Sequence, residues 1–217
     1  MPVEVPPYPV NLLVAGRRVL VVGGGAVAAE KVAGLLAAGA VVHVVAPRLT
    51  NEVRALGTTC EERAYQRGEV AGYRLAVACT DDPAVNRAVF EDGEVAGVWV
   101  NAADDPAHCS YTLPARIDRG RLLVTVSTSG HSPALAGWLR DRRGAQIGPE
   151  YDTLIGLLAE ARAAMAAEGR PTLGADWRSA LDSGMLDLVR AGRLDEARAL
   201  LQASLAPADP PSPGSPR

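Results

Sequence analysis

Residues 18–28, Arg18-Val19-Leu20-Val21-Val22-Gly23-Gly24-Gly25-Ala26-Val27-Ala28, decide the fold. A short β-branched run of the kind that fills a buried parallel strand passes into three glycines, and these open an alanine- and leucine-rich helix. The stretch matches the dinucleotide fingerprint GxGxxG/A in the context that gives it meaning. Gly23 allows the tight turn, Gly25 lets the backbone approach a pyrophosphate, and Ala28 permits close helix–sheet packing. Free N–H groups at the helix start then hold the phosphates. A glycine-rich turn without a ligand is the competing reading of the loop alone.

Working outward, the helix runs from Ala26 to Ala38, with Gly39 just past its end where a terminating glycine belongs. Val41–Val45 reads as the second strand, ended by Pro47. Leu75–Cys79 is another buried strand. Asp81-Asp82-Pro83 starts a helix with an acidic cap and a proline in its first turn. Val98–Asn101 is a further strand. Strands alternating with helices predict an α/β fold with a Rossmann-like parallel sheet and right-handed crossovers. After about residue 113 the character changes. Leu122–Ser127 is one more strand, Ser132-Pro133 starts a helix to about Arg143, and residues 150–205 carry helical spacing through Leu154, Leu157, Leu158 and Ala161. The last twelve residues, 206–217, contain five prolines and no core former beyond alanine, so a disordered proline-rich tail is expected there.

Composition narrows the function. The 217 residues carry 22 Lys+Arg against 25 Asp+Glu, a net charge of −3, with 48% hydrophobic and 22% charged residues. That balance fits a globular chain and gives no support to nucleic-acid binding. Lys31 is the only lysine, so any anion site here is built from arginine forks. The N-terminus lacks the positive charge and apolar run of a signal peptide, and the longest apolar stretch, around Val19 to Val45, is interrupted by Glu30, Lys31 and His43. Cys60, Cys79 and Cys109 form neither a disulfide framework nor a CxxC metal pair, and no metal site is expected. A cytoplasmic protein away from membranes is the expectation.

Three further motifs carry chemistry. The acidic residue that binds ribose at the end of the second strand is absent, and Ala46-Pro47-Arg48 stands there instead. Arg48 could accept a 2′-phosphate, so local logic leaves NAD against NADP open. Asn101-Ala102-Ala103-Asp104-Asp105-Pro106 follows a strand at the sheet edge where ligands sit; its carboxylates serve either as a general base or as a turn cap. Ser127-Thr128-Ser129-Gly130-His131-Ser132-Pro133 joins a strand to a helix and suits an anion, or plain capping by Ser132. Arg116, Arg119, Arg121, Arg140, Arg142 and Arg143 bracket it, as a substrate with several carboxylates would require, although a solvated face is the plainer explanation for any one of them.

Taken together, Pro9-Val10-Asn11-Leu12, the run from Gly16 to Pro47, Ala78–Asn86, Asn101–Pro106 and Leu113–Arg140 resemble the precorrin-2 dehydrogenase / sirohydrochlorin ferrochelatase family, the N-terminal module of siroheme synthase. The resemblance implies an NAD-binding Rossmann domain over residues 1–113, a dimerisation region over 114–149 and a small helical domain over 150–205. It implies oxidation of precorrin-2 to sirohydrochlorin with NAD, in some members followed by insertion of Fe²⁺ (Co²⁺ being the other metal to consider), by a homodimer. Nucleotide contacts fall on Ala26, Val27, Pro47 and Arg48 beside Gly23 and Gly25, the catalytic aspartate on Asp104, and the serine-rich substrate loop on Ser127, Thr128 and Ser129, with Arg116 and Arg119 nearby in sequence. Thr128 stands where a serine is common and His131 where a small residue is usual. A non-catalytic NAD(H)-sensing domain is the alternative, since fold does not fix function.

Overall fold

The computed structural model describes residues 6–103 and 105–206. Asp104 and the expected proline-rich tail from residue 207 lie outside the described residues. The chain divides into two compact units, one running to Pro114 and including Ser127–Pro133, the other made of Ala115–Val126 and the residues from Ala134.

The first unit opens with β1 (Arg18–Val22), α1 (Ala26–Ala37) and β2 (Val41–Ala46). α1 closes as the sequence predicts: the Gly39 N–H donates to Leu36 O and the Ala40 N–H to Leu35 O, with Gly39 at φ +76°. Then come α2 (Asn51–Ala55), β3 (Thr59–Glu62), β4 (Leu75–Ala78), α3 (Pro83–Ala96) and β5 (Trp99–Ala102). The five strands are parallel in the order β3-β2-β1-β4-β5. The order reverses direction between β1 and β4, which creates a crevice at their C-terminal ends. Alternation along the strands feeds two cores. Val19, Val21, Val42, Val44 and Val77 pack with Ala28 and Val32 of α1, whereas Leu20, Val22, Val45, Ala76 and Val100 pack with Val89 of α3.

α3 begins at the predicted place: Asp82 accepts a hydrogen bond from the Ala84 N–H at 2.8 Å and Pro83 occupies the first turn. Further along, Asp92 draws the connection between β3 and β4 onto the helix. It accepts from the Tyr65 hydroxyl (2.8 Å), the Gly68 N–H (2.7 Å) and Arg67 (2.7 Å).

The second unit pairs β6 (Ala115–Arg119) with β7 (Leu122–Val126) as an antiparallel hairpin. β6 was not anticipated from sequence: of its residues only Ile117 is buried, so no alternating signal marks it. α4 (Pro133–Gly144) and α5 (Glu150–Ala167) follow. The remainder is less continuous than its helical spacing implies. It breaks into α6 (Trp177–Ala180), a wide turn kinked at Gly184, α7 (Leu186–Arg190) and α8 (Leu194–Ser204). Leu154, Leu157, Met165, Met185, Val189 and Leu201 form its core.

Candidate dinucleotide site

The loops after β1, β2, β4 and β5 share the C-terminal edge of the sheet, and backbone hydrogen bonds continue the strand ladders into them. The Gly23 N–H donates to Val45 O (3.0 Å), Cys79 to Val22 O (2.8 Å), Ala103 to Ala78 O (2.8 Å) and Thr50 to Gly24 O (2.9 Å).

Within this frame the three glycines have different work. Gly23 sits at φ +134°, and a Cβ there would lie 2.5 Å from the carbonyl oxygen of Cys79. Gly24 is the tighter of the two. A Cβ on it would lie 2.0 Å from Arg48 O, so only glycine lets the β1 and β2 loops meet. A Cβ at Gly25 meets nothing within 4 Å, which leaves open space at the start of α1. No acidic residue occupies the first turn of α1, and Ala26 and Val27 are exposed. An uncluttered helix N-terminus beside an open glycine is a cradle that fits a dinucleotide's diphosphate. Pro47 and Arg48 are both exposed at the end of β2, and Thr50 caps α2 behind them.

Across the crevice, the segment after β4 is held from α3. Asn86, only 5% exposed, receives the Thr80 N–H (3.1 Å) and hydroxyl (2.8 Å) on Oδ1, and donates through Nδ2 to Thr80 O (3.0 Å). A second buried amide works after β5. Asn101, 9% exposed, donates to Tyr111 O at 3.0 Å. The Cys109 sulfur gathers that loop, receiving the Ala102 N–H (3.2 Å) and donating toward the Ala102 and Asp105 carbonyls at 3.3 Å each. Asp105 pairs with His108 at 2.6 Å, and the His108 ring meets Phe90 edge-on. Burial pushes the Cys79 thiol up to about 11 and also raises Cys109, so both remain protonated at neutral pH and neither is a ready nucleophile. Among the described residues no group of three or more His, Cys, Asp or Glu is placed to hold a metal ion.

The serine-rich loop is ordered by its threonine. Thr128 Oγ1 accepts from the Ser132 N–H (3.1 Å) and the Ser129 N–H donates to Ser127 Oγ (3.2 Å), with Ser129 itself at φ +52°. The arginines predicted around it belong to the other unit, and most have local partners. Arg119 donates to the carbonyls of Ile147, Asp118 and Gly144, Arg121 pairs with Asp152, and Arg140 with Asp141. Arg142 lies over the Trp138 ring. Arg116 is exposed on β6.

Sequence reasoning named Gly23, Gly25, Ala26, Val27, Pro47 and Arg48 but gave no role to Gly24, Thr80 and Asn86. The contact Gly24 makes is to a backbone carbonyl, which has no sequence signature. An asparagine inside a helix that follows a buried strand was the available signal for Asn86.

Fold and loop together define a Rossmann-type dinucleotide-binding protein, and a family model described as putative NAD(P)-binding matches residues 10–115. The chain is similar to part of the siroheme synthases: it is 45% identical over 152 residues to that of Azotobacter vinelandii, covering 68% of this chain and 33% of the relative. With the siroheme synthase of Photorhabdus laumondii it shares 36% over 166 residues, 71% of this chain and 34% of the relative. The chain thus spans about a third of the length of the curated relatives it matches. Among solved structures, SirC, precorrin-2 dehydrogenase, superposes with a TM-score of 0.69 at 27% identity, covering 91% of this chain and 98% of that one.

Proposed function

We propose that the chain is an NAD-dependent precorrin-2 dehydrogenase of siroheme biosynthesis. The observation that carries the proposal is the superposition on a precorrin-2 dehydrogenase along nearly its whole length, with an unobstructed glycine loop at the sheet's switch point. The backbone N–H groups of Gly25, Ala26 and Val27 would hold the diphosphate, with Pro47 and Arg48 as the residues that would contact the rest of the nucleotide. When bound, NAD supplies the hydride acceptor. The substrate would lose two hydrogens, one as hydride to that acceptor and one as a proton. Asp104, two residues past the end of β5, is the base that takes the proton, which leaves sirohydrochlorin, NADH and H⁺ in balance. The carboxylates of the tetrapyrrole are received by Ser127, Thr128 and Ser129 in the serine-rich loop.

The chain works as a homodimer. Leu123 on β7 and Leu135 and Trp138 on α4 are exposed, and a two-stranded hairpin is marginal without a covering partner. It works in the cytoplasm, where its three free cysteines stay reduced. No described helix is long and apolar enough to cross a membrane.

A spectral assay tests the activity: precorrin-2 with NAD generates sirohydrochlorin absorbance, whereas a nucleotide sensor binds NADH without turnover. NAD gives the higher kcat/KM than NADP, and the reverse ratio would show that Arg48 recruits a 2′-phosphate. Supplying purified sirohydrochlorin with Fe²⁺ or Co²⁺ separates a dehydrogenase alone from one that also inserts metal.

A further inference from the structure

Helix α3 carries two polar side chains that each grip a connection of the sheet unit. Asp92 grips the segment between β3 and β4, through Tyr65, Arg67 and Gly68. Asn86 grips the segment after β4, at the ligand edge. The second grip is unusual in its economy. Both ends of one buried amide go to the backbone of a single residue, Thr80, and the Thr80 hydroxyl adds a third hydrogen bond. Burying an amide is unfavourable unless its groups are paired, and an apolar side chain would pack α3 on the sheet with less difficulty. What the amide adds is a fixed height and direction for Thr80.

That height matters because of the residue before it. The Cys79 carbonyl stands 2.5 Å from where a Cβ of Gly23 would be, so the β4 lip and the glycine loop touch at the floor of the crevice. The Thr80 hydroxyl also accepts the Asp82 N–H at 3.2 Å, which ties the lip to the start of α3. A ligand anchored by the glycine loop on one side rests on this lip on the other.

We propose that Asn86 is a positioning residue for the dinucleotide, setting the β4 lip through Thr80 without touching the ligand. The inference rests on the dinucleotide reading of the site. NADH fluorescence titrations of the full chain test it, run well below the melting transitions of wild type, Asn86→Ala, Thr80→Val and Asp92→Ala. Releasing the lip leaves two backbone groups unpaired, and Asn86→Ala should raise the Kd for NADH about tenfold. Thr80→Val removes only the hydroxyl bonds and should raise it about threefold. Asp92→Ala loosens the same helix away from the ligand edge, so it should lower the Tm while leaving the Kd within about twofold of wild type. Equal weakening by Asn86→Ala and Asp92→Ala overturns the proposal, because general loosening of α3 then explains both. Unchanged affinity in Asn86→Ala overturns it too. Should that variant fail to fold, unchanged affinity in Thr80→Val does the same. A wild-type chain that binds no NADH overturns the dinucleotide reading itself, whereas one that binds tightly with indifferent variants overturns only the role of Asn86.

Discussion

The two units spend their side chains differently. In the sheet unit, valines and alanines fill two thin cores on either face, and the loops at one edge are fixed by backbone ladders and two buried amides. In the other unit, leucines and methionines fill one core between short helices, and the polar contacts are mainly exposed ion pairs such as Arg190–Glu150 and Arg198–Glu160. Exposed pairs contribute little, so packing carries most of that unit's stability. Buried polar contacts give direction as well as stability, and they lie where a ligand must be placed.

The sharpest way to break this comparison is at the proposed base. Asp104→Ala should lower the rate of precorrin-2 oxidation by about 10²–10⁴-fold. NADH affinity should be retained, because the glycine loop lies on other strands of the sheet. A rate near wild type removes Asp104 from the mechanism, and a matched Asp105→Ala control should keep most of the activity, since its carboxylate pairs with His108.

A core substitution in the helical unit separates packing from ligand placement. Met185 is fully buried, and Met185→Ala should cost about 2–5 kcal/mol. Calorimetry of the full chain should then show a lowered transition with the Kd for NADH unaltered. A parallel loss of NADH binding would show that the units are not energetically separable.

Gly24→Ala applies the opposite test to the sheet unit. Its methyl would stand 2.0 Å from Arg48 O, so the β1 and β2 loops must part. Overpacking of this kind costs about 1–3 kcal/mol. NADH binding should fall more steeply than the Tm, and Gly25→Ala, with open space around it, should leave the Tm nearly unchanged while still obstructing the diphosphate.

Much of this was readable from the residues alone. β1, α1, β2, β4, α3 and β5 announce themselves by valine runs, a terminating glycine and an Asp-Pro start. β3 does not, because Thr59–Glu62 is an edge strand with no fully buried residue. Glycine logic gave roles to Gly23 and Gly25 and none to Gly24, where a Cβ would stand 2.0 Å from the Arg48 carbonyl oxygen. Gly24, with a carbonyl against it, is more constrained than Gly25. Asn86, early in a helix after a buried strand, left a faint local signal, whereas the loop contacts gathered by the Cys109 sulfur left none.

The smallest effect expected is a pH dependence in the sheet unit. Burial alone would raise the Asp92 carboxyl, but the Gly68 N–H, the Tyr65 hydroxyl and Arg67 outweigh it and hold the group below its ordinary value. A carboxylate with a lowered folded pKa stabilises the protein fully above its unfolded pKa of about 3.9, and the contribution is lost as pH falls through the folded value. Asp92 therefore adds nothing variable between pH 6 and 8, and its loss belongs to the acid limb below about pH 4. Asp92→Asn keeps the shape but turns one acceptor into a donor facing donors. At neutral pH it should cost about 1–3 kcal/mol. Its Tm should fall less steeply than that of wild type on acidification, so the two curves converge at low pH. Curves that stay parallel down to the acid limb would mean that Asp92 holds the β3–β4 connection by shape and not by charge, and the contrast between a charged grip away from the ligand and a neutral one beside it would lose its basis.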